Sequence, residues 1–228
     1  MSLKPQIKYS FGVFLLVAIL ARLVQQSPVD IALSKVFFDA ELAVFPYQFQ
    51  AGLDFIGTYI WWVPFGGAVL MAIRAWRYAP GSQEQWAWGA GAIFLASGPL
   101  LAGVLKHLTA MPRPLHAQVF SGSESMPAYF WAKHLHQAGN ALPSAHASAG
   151  FVLLAFFFIG CLTDNPRLRI LGLWLGLSAG LLFGLMRIVQ GYHFFSQVLW
   201  SCAVMGLYAC LLFTFMQWAR DQYLRGRA

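Results

Sequence analysis

Two of the six histidines, a lysine and two arginines stand at the ends of very apolar segments, with almost no acid beside them. Lys106 and Arg113-Pro114 follow one apolar run, and Pro143-Ser144-Ala145-His146 opens the next. Arg187 closes a third run, and His193 opens the last. A charge at the bilayer centre costs about 2.5–3.5 kcal/mol on insertion scales, so an ionisable group at membrane depth is a functional candidate by default. Several cations without matching carboxylates imply that the missing anion is a ligand, and phosphate is the obvious one.

Each segment also has a plainer reading. Lys106 ends an apolar run, and Pro112 and Pro114 stop any helix there, so both cations lie where their donors can converge. Taken alone, Lys106 and Arg113 read as side chains snorkelling to headgroups. Ser144 is a good N-cap in front of Ala147-Ser148-Ala149-Gly150. A helix N-terminus offers free N–H groups and a partial charge of about half a unit, and small residues such as Ala145 let an anion approach. His146 then falls in the first turn; the plainer reading is a capped helix with an interfacial histidine. Gly191 permits a turn that lets Arg187 and His193 face one another. His193 and Gln197 are i,i+4 neighbours on one helix face. The plainer reading there is a capped helical hairpin.

The elements that must position these residues are membrane spans. The chain of 228 residues is 59% hydrophobic and 10% charged, with mean hydropathy +0.60. A soluble domain carries about 25% charged residues. Six apolar segments approach the length of about 20 residues needed to cross a bilayer. They lie near 9–25, 55–75, 86–106, 144–163, 169–187 and 196–218, and residues 1–228 read as one integral membrane domain with its motifs within 86–218. The first segment is expected to be an uncleaved span, because no small-x-small cleavage site follows it. The net charge of +7 does not imply nucleic acid, since no exposed basic stretch with interleaved aromatics exists to bind it. Cys161, Cys202 and Cys210 read as small core hydrophobes.

Loop charges set an orientation. With the N-terminus inside, the inner segments hold Lys4, Lys8, Arg74, Arg77, Arg167, Arg169, Arg220, Arg225 and Arg227. The outer ones hold Arg22, Lys35 and Lys133 beside Asp30, Asp39, Glu41, Asp54 and Glu124. This positive-inside pattern predicts cytoplasmic termini and an outward-facing cation cluster. The long connections 26–54 and 126–137 are expected to form interfacial helices with aromatic anchors. The fold class is thus all-α, a six-transmembrane-helix bundle with interfacial helices on the outer side.

The ordered set Lys-x6-Arg-Pro, Pro-Ser-x-His, Arg-x5-His, on spans three to six, resembles the phosphatidic acid phosphatase type 2 superfamily over roughly residues 86–218. Lys106, Arg113 and Pro114 match its first motif, Pro143, Ser144 and His146 its second, and Arg187 and His193 its third. Three positions depart. Ala145 replaces a glycine, Met186 replaces a serine, and Gln197 replaces the aspartate that usually orients the nucleophilic histidine. The resemblance implies a metal-independent lipid phosphate phosphatase without cofactor. His193 would be the nucleophile and His146 the acid and base. Lys106, Arg113, Ser144, Ala145 and Arg187 would bind phosphate, and Gln197 would orient His193.

The implied partners are a phosphorylated membrane lipid and the bilayer, with no nucleic acid, and oligomeric state stays open. Undecaprenyl pyrophosphate, phosphatidylglycerol phosphate, phosphatidic acid and lipid A 1-phosphate are the substrate candidates. The location expected is a bacterial inner membrane with the site on the periplasmic face. Phosphotransfer to a second lipid through the same intermediate remains an alternative. So do a lipid-phosphate transporter or flippase, and a haem protein using histidine axial ligands.

Overall fold

The computed structural model describes residues 4–132, 134 and 139–227. In chain order the helices are α1 (Pro5–Val24), α2 (Pro28–Lys35), α3 (Ala51–Tyr59), α4 (Trp62–Trp76), α5 (Gln83–Leu105), α6 (Ala145–Phe151), α7 (Ala155–Leu162), α8 (Pro166–Val189) and α9 (Phe195–Arg225). Among the described residues there is no β-strand. Six stretches are long and apolar enough to cross a membrane: α1, α3–α4, α5, α6–α7, α8 and α9. The chain is a multi-pass, all-α membrane protein, as its hydropathy predicts.

All but the fourth span run longer than their apolar segments. The first begins at Pro5, a residue suited to the first helical position. The last continues to Arg225, because Gln, Arg and Leu sustain a helix beyond the apolar region. The second starts at Ala51, where the Gln50 side chain accepts the Leu53 N–H at 2.7 Å. It breaks at Ile60 and Trp61, since Pro64 has no N–H to offer the Ile60 carbonyl and its ring crowds that carbonyl.

The fourth span is the axis of the bundle. Of its residues 83% are buried, against 22% in the most apolar stretches of the first and fifth spans. Its core side chains, Phe151, Leu154, Phe158 and Ile159, meet Phe94 of α5 and Phe213 of α9 in one cluster. Against this axis lies α8, which presents Gly172, Gly176 and Gly180 one turn apart, with Gly184 one turn further on facing Val198 of α9. An added Cβ at Gly176 would sit 2.6 Å from the Leu154 backbone nitrogen, and one at Gly180 would enter the Phe151 ring. The stripe therefore brings two helix backbones into close contact, where dispersion and not burial from water holds them.

The two ends differ in charge. At one end Lys4 Nζ meets Asp164 at 2.6 Å, and Arg220 Nε donates to the Gly81 carbonyl at 3.0 Å. The other end is closed by the segments after α1 and after α5. There Phe38, Phe45, Phe120 and Phe194 form a second apolar cluster with rings 5.2–6.2 Å apart. Exposed Tyr9, Trp76 and Trp218 mark the first end, and exposed Tyr47 and Trp131 the second, the placement of aromatic belts at membrane interfaces.

The outer segments differ from expectation. Only α2 is helical between the first two spans, and residues 126–132 form no helix. Trp131 instead bridges Thr109, and Ala110 N–H donates to the Phe130 carbonyl at 3.0 Å. Backbone pairing with the segment after α5 satisfies groups that a helix would have paired internally. Lys133 and residues 135–138 of that expected helix lie outside the described residues.

Gly176→Leu is expected to lower stability by at least about 1–3 kcal/mol through overpacking. Gly12→Leu, whose Cβ would meet nothing within 4 Å, is expected to stay within about 0.5 kcal/mol. Thermal unfolding of both variants in detergent checks the contrast; equal melting points would refute the close α8 contact.

Candidate functional site

Four helix ends meet at the end of the bundle opposite the termini. They enclose a cavity of about 300 Å³ lined by Trp61, Lys106, Arg113, Asn140, Ala145, His146, Arg187, Tyr192 and His193. Lys106 is the C-cap of α5, His146 is in the first turn of α6, Arg187 is in the last turn of α8, and His193 precedes α9. Arg113 reaches the same cavity from a loop pinned on both sides. The Leu115 N–H donates to the Gly191 carbonyl at 3.0 Å, and the Pro112 carbonyl accepts from Gln197 Nε2 at 2.9 Å. Gly191 adopts φ +72°, and a Cβ there would lie 2.5 Å from the Phe45 ring. Both conditions require glycine.

Gln197 is buried, and its amide orientation is determined by its partners. The Pro112 carbonyl can only accept, so Nε2 faces it. The Phe194 N–H can only donate, so Oε1 faces that group at 3.1 Å. This is the reciprocal half of a capping box, in which the third helical residue reaches back to the N-cap. The same Oε1 lies 3.0 Å from His193 Nδ1. An amide oxygen cannot donate, so Nδ1 carries the proton and the Nε2 lone pair is left for the cavity. Burial pushes the His193 imidazole down to about 3, Arg113 and Arg187 add to that, and hydrogen bonds with Gln197 and the Ala141 backbone oppose it. The ring is therefore neutral at physiological pH.

The start of α9 is held from a second direction. Asp30 on α2 accepts the Ser196 N–H at 2.8 Å and its hydroxyl at 2.6 Å. Burial raises the Asp30 carboxyl above its ordinary range, and the Ser196 bonds pull it back. A carboxylate at a helix N-terminus also opposes the helix dipole.

His146 is held differently. Its ring packs against Trp61 with centroids 5.4 Å apart. Nε2 meets Arg187 Nη2 and lies 3.2 Å from the Gly57 carbonyl. Accepting from Arg187 needs a bare nitrogen, while donating to Gly57 needs a protonated one, so Nε2 cannot make both contacts at once. Tyr192 stands between two cations, with Arg113 5.5 Å and Arg187 5.2 Å from its ring centroid. Burial, and then the charge of Arg113, hold the Lys106 ammonium below its usual range.

The structure brings together Lys106, Arg113, Ala145, His146, Arg187 and His193 around the cavity, with Gln197 behind His193. It does not place Ser144 in the cavity wall. Ser144 is fully buried, its Oγ accepts the Ala147 N–H at 3.4 Å, and its carbonyl accepts from Ser201. Gly57, Trp61, Asn140 and Tyr192 also belong to the site, and sequence reasoning passed over them. Of these, only Tyr192 lay within a quoted motif. Asp30 and Asp54 carried no signal beyond outer-side charge. Among the described residues no cluster of three or more His, Cys, Asp or Glu side chains could hold a metal ion.

A family model described as the PAP2 superfamily matches residues 86–221 of the 228. No curated protein matches the chain significantly. No solved structure does so either.

Two stability measurements test this geometry. Gln197→Asp removes the donor to Pro112 and places a charge in a buried site, so a loss of about 1–3 kcal/mol is expected on unfolding in detergent. An imidazole whose pKa falls on folding, from 6.5 to about 3, binds a proton more readily in the unfolded chain. Its contribution is complete above about 6.5 and is lost as pH falls toward 3. The melting temperature should therefore fall less between pH 7 and pH 5 in His193→Gln than in the wild type. Parallel curves would contradict the buried neutral ring.

Proposed function

The chain belongs to the PAP2 superfamily, whose members are phosphatases acting on phosphorylated substrates, and on that footing we propose that it hydrolyses the phosphate of a membrane lipid through a phosphohistidine. The observation that carries this reading is the single cavity shared by three cations and two histidines. The same end of the bundle abuts the bilayer surface, so a lipid-borne phosphate reaches it by lateral diffusion with its chains still in the membrane. Candidate headgroups are a pyrophosphate, as in undecaprenyl pyrophosphate, and a phosphomonoester, as in phosphatidylglycerol phosphate, phosphatidic acid or lipid A 1-phosphate.

Each residue then has a task. His193 attacks phosphorus with its Nε2 lone pair, while Gln197 keeps the proton on Nδ1. Lys106, Arg113 and Arg187 bind the phosphoryl oxygens and stabilise the charge that builds up at the transition state. Ala145 leaves room for the anion at the start of the fourth span. As phosphate draws Arg187 toward itself, His146 Nε2 is released from that guanidinium. Released, Nε2 takes up a proton from water, gives it to the lipid oxygen as the P–O bond to that oxygen breaks, and later takes one from the water that cleaves the phosphohistidine.

The glutamine in place of aspartate fits this scheme. A serine-protease triad loses about 10⁴ in turnover when its aspartate becomes asparagine, through the wrong tautomer. Here the Pro112 and Phe194 bonds impose the useful tautomer without a charge. The charge asymmetry between the two ends supports cytoplasmic termini and a site on the periplasmic face of a bacterial inner membrane.

Purified protein is expected to release inorganic phosphate from a panel of these lipids in EDTA, and orthovanadate is expected to inhibit it. His193→Ala should abolish turnover, and full activity in that variant would remove the nucleophile assignment. Gln197→Asp is expected to raise turnover by no more than about threefold, since the tautomer is already set. Labelled donor with unlabelled acceptor lipid should place all the label in free phosphate; label in the acceptor would show phosphotransfer.

A further inference from the structure

We infer that Gln190 and Asp54 are positioning residues that aim the phosphate-binding guanidinium of Arg187, an assignment that rests on the phosphatase reading above. Arg187 is 9% exposed, so its orientation is set by protein partners and not by solvent. Nη1 donates to Gln190 Oε1 at 2.8 Å. Gln190 is fully buried, and its Nε2 donates to Asp54 Oδ1 at 2.9 Å and to the Gln48 carbonyl at 3.3 Å. A guanidinium only donates, and the Gln48 carbonyl only accepts. The amide oxygen must therefore face Arg187, and its nitrogen must face α3. Rotating the amide by half a turn breaks all three bonds.

The same helix supplies the space. Gly57, one turn beyond Asp54 on α3, lies directly under the guanidinium, and a Cβ there would collide with Nη2 and Cζ of Arg187. Thus α3 gives both a recess for the cation and, through Asp54 and Gln190, the anchor that keeps it there. Arg187 Nε is buried without a hydrogen-bond partner among the described residues, so the side chain is not held by a full set of bonds. The Gln190 bond and the His146 contact are what fix its head. Within this pair, His146 is released when phosphate enters, and Gln190 is the contact that persists.

The amide spacer has an electrostatic purpose. A carboxylate placed directly on Arg187 would compete with a phosphate oxygen for the same N–H groups and cancel the charge that attracts the ligand. A neutral amide orients the guanidinium and leaves its charge for the anion. The carboxylate of Asp54 sits one hydrogen bond further away, where it fixes the amide. Gln197 stands to His193 as Gln190 stands to Arg187, and among the described residues the cavity wall contains no carboxylate. Asp54 and Gly57 lie outside the residues that match the family.

The test uses the full chain in detergent, with inorganic phosphate binding by calorimetry and orthovanadate inhibition as the two readouts. Hydrogen bonds to charged groups imply that Gln190→Ala weakens both by about tenfold. Gln190→Glu should weaken them at least as much, because its carboxylate occupies the guanidinium. Asp54→Ala is expected to cost about three- to tenfold, whereas Asp54→Asn keeps an acceptor for Gln190 Nε2 and should remain within about threefold of the wild type. Melting temperatures are measured alongside, since a merely structural role would lower stability without separating Asn from Ala at residue 54. Wild-type anion affinity in either folded Gln190 variant overturns the assignment. So does an equal loss in Asp54→Asn and Asp54→Ala. If the Gln190 variants fail to fold, the half-exposed Asp54 pair decides alone. A wild-type protein that binds inorganic phosphate yet releases none from any lipid overturns the phosphatase reading, and the comparison of anion affinities still decides the role of Gln190 and Asp54.

Discussion

The side-chain amide of Gln197 is the point on which the candidate site depends. It spans 2.9 Å to the Pro112 carbonyl, 3.1 Å to the Phe194 N–H and 3.0 Å to His193 Nδ1. One group thereby joins the loop that carries Arg113 to the helix start that follows His193, and selects the histidine tautomer. Each bond is worth about 0.5–1.5 kcal/mol net, but leaving any of these buried groups unpaired costs more. That asymmetry makes the arrangement a single unit. Moving the Arg113 loop would strand the Pro112 carbonyl, and turning the amide would strand the Phe194 N–H.

Around that unit, the spans serve as rigid posts. The glycine stripe of α8 lets it lie against the axial fourth span, which sets how far Arg187 stands from His146. Asp30 on the short α2 clamps the first turn of α9, and Gly57 on α3 makes room for the Arg187 head. Two parts of the chain outside the matched residues 86–221 therefore shape the cavity. On the proposed reading, a phosphate entering such a site meets cations already held by their protein partners, and the Arg187–His146 contact is the one that gives way.

Much of this was legible in the residues. Hydropathy located all six spans, because apolar length is what a bilayer selects. Lys106, Arg113, His146, Arg187 and His193 stood out, because ionisable groups at the ends of apolar runs need a partner. Span ends were placed less well. The largely polar segment 219–225 continues α9, and a glutamine cap starts the second span before its apolar core. Of the helix expected at 126–137, residues 126–132 form none, and Phe130 and Ala132 instead pair their backbone with the segment after α5. Ser144 takes the N-cap place read for it, with its Oγ accepting the Ala147 N–H, and it lies behind the cavity wall.

The sequence by itself determined the membrane class, the order of the spans, and which ionisable residues stand at the ends of apolar runs. Those properties follow from side-chain chemistry and from local spacing along the chain. Tertiary structure alone decided which groups those residues would meet. The chain separates Gln197 from Pro112 by 85 positions and Gln190 from Asp54 by 136. It gives no sign that Gly57 lies beneath Arg187. Amide orientation, histidine tautomer and the recess for a guanidinium are relations between distant segments, and they exist only once packed helices bring those segments within hydrogen-bonding distance.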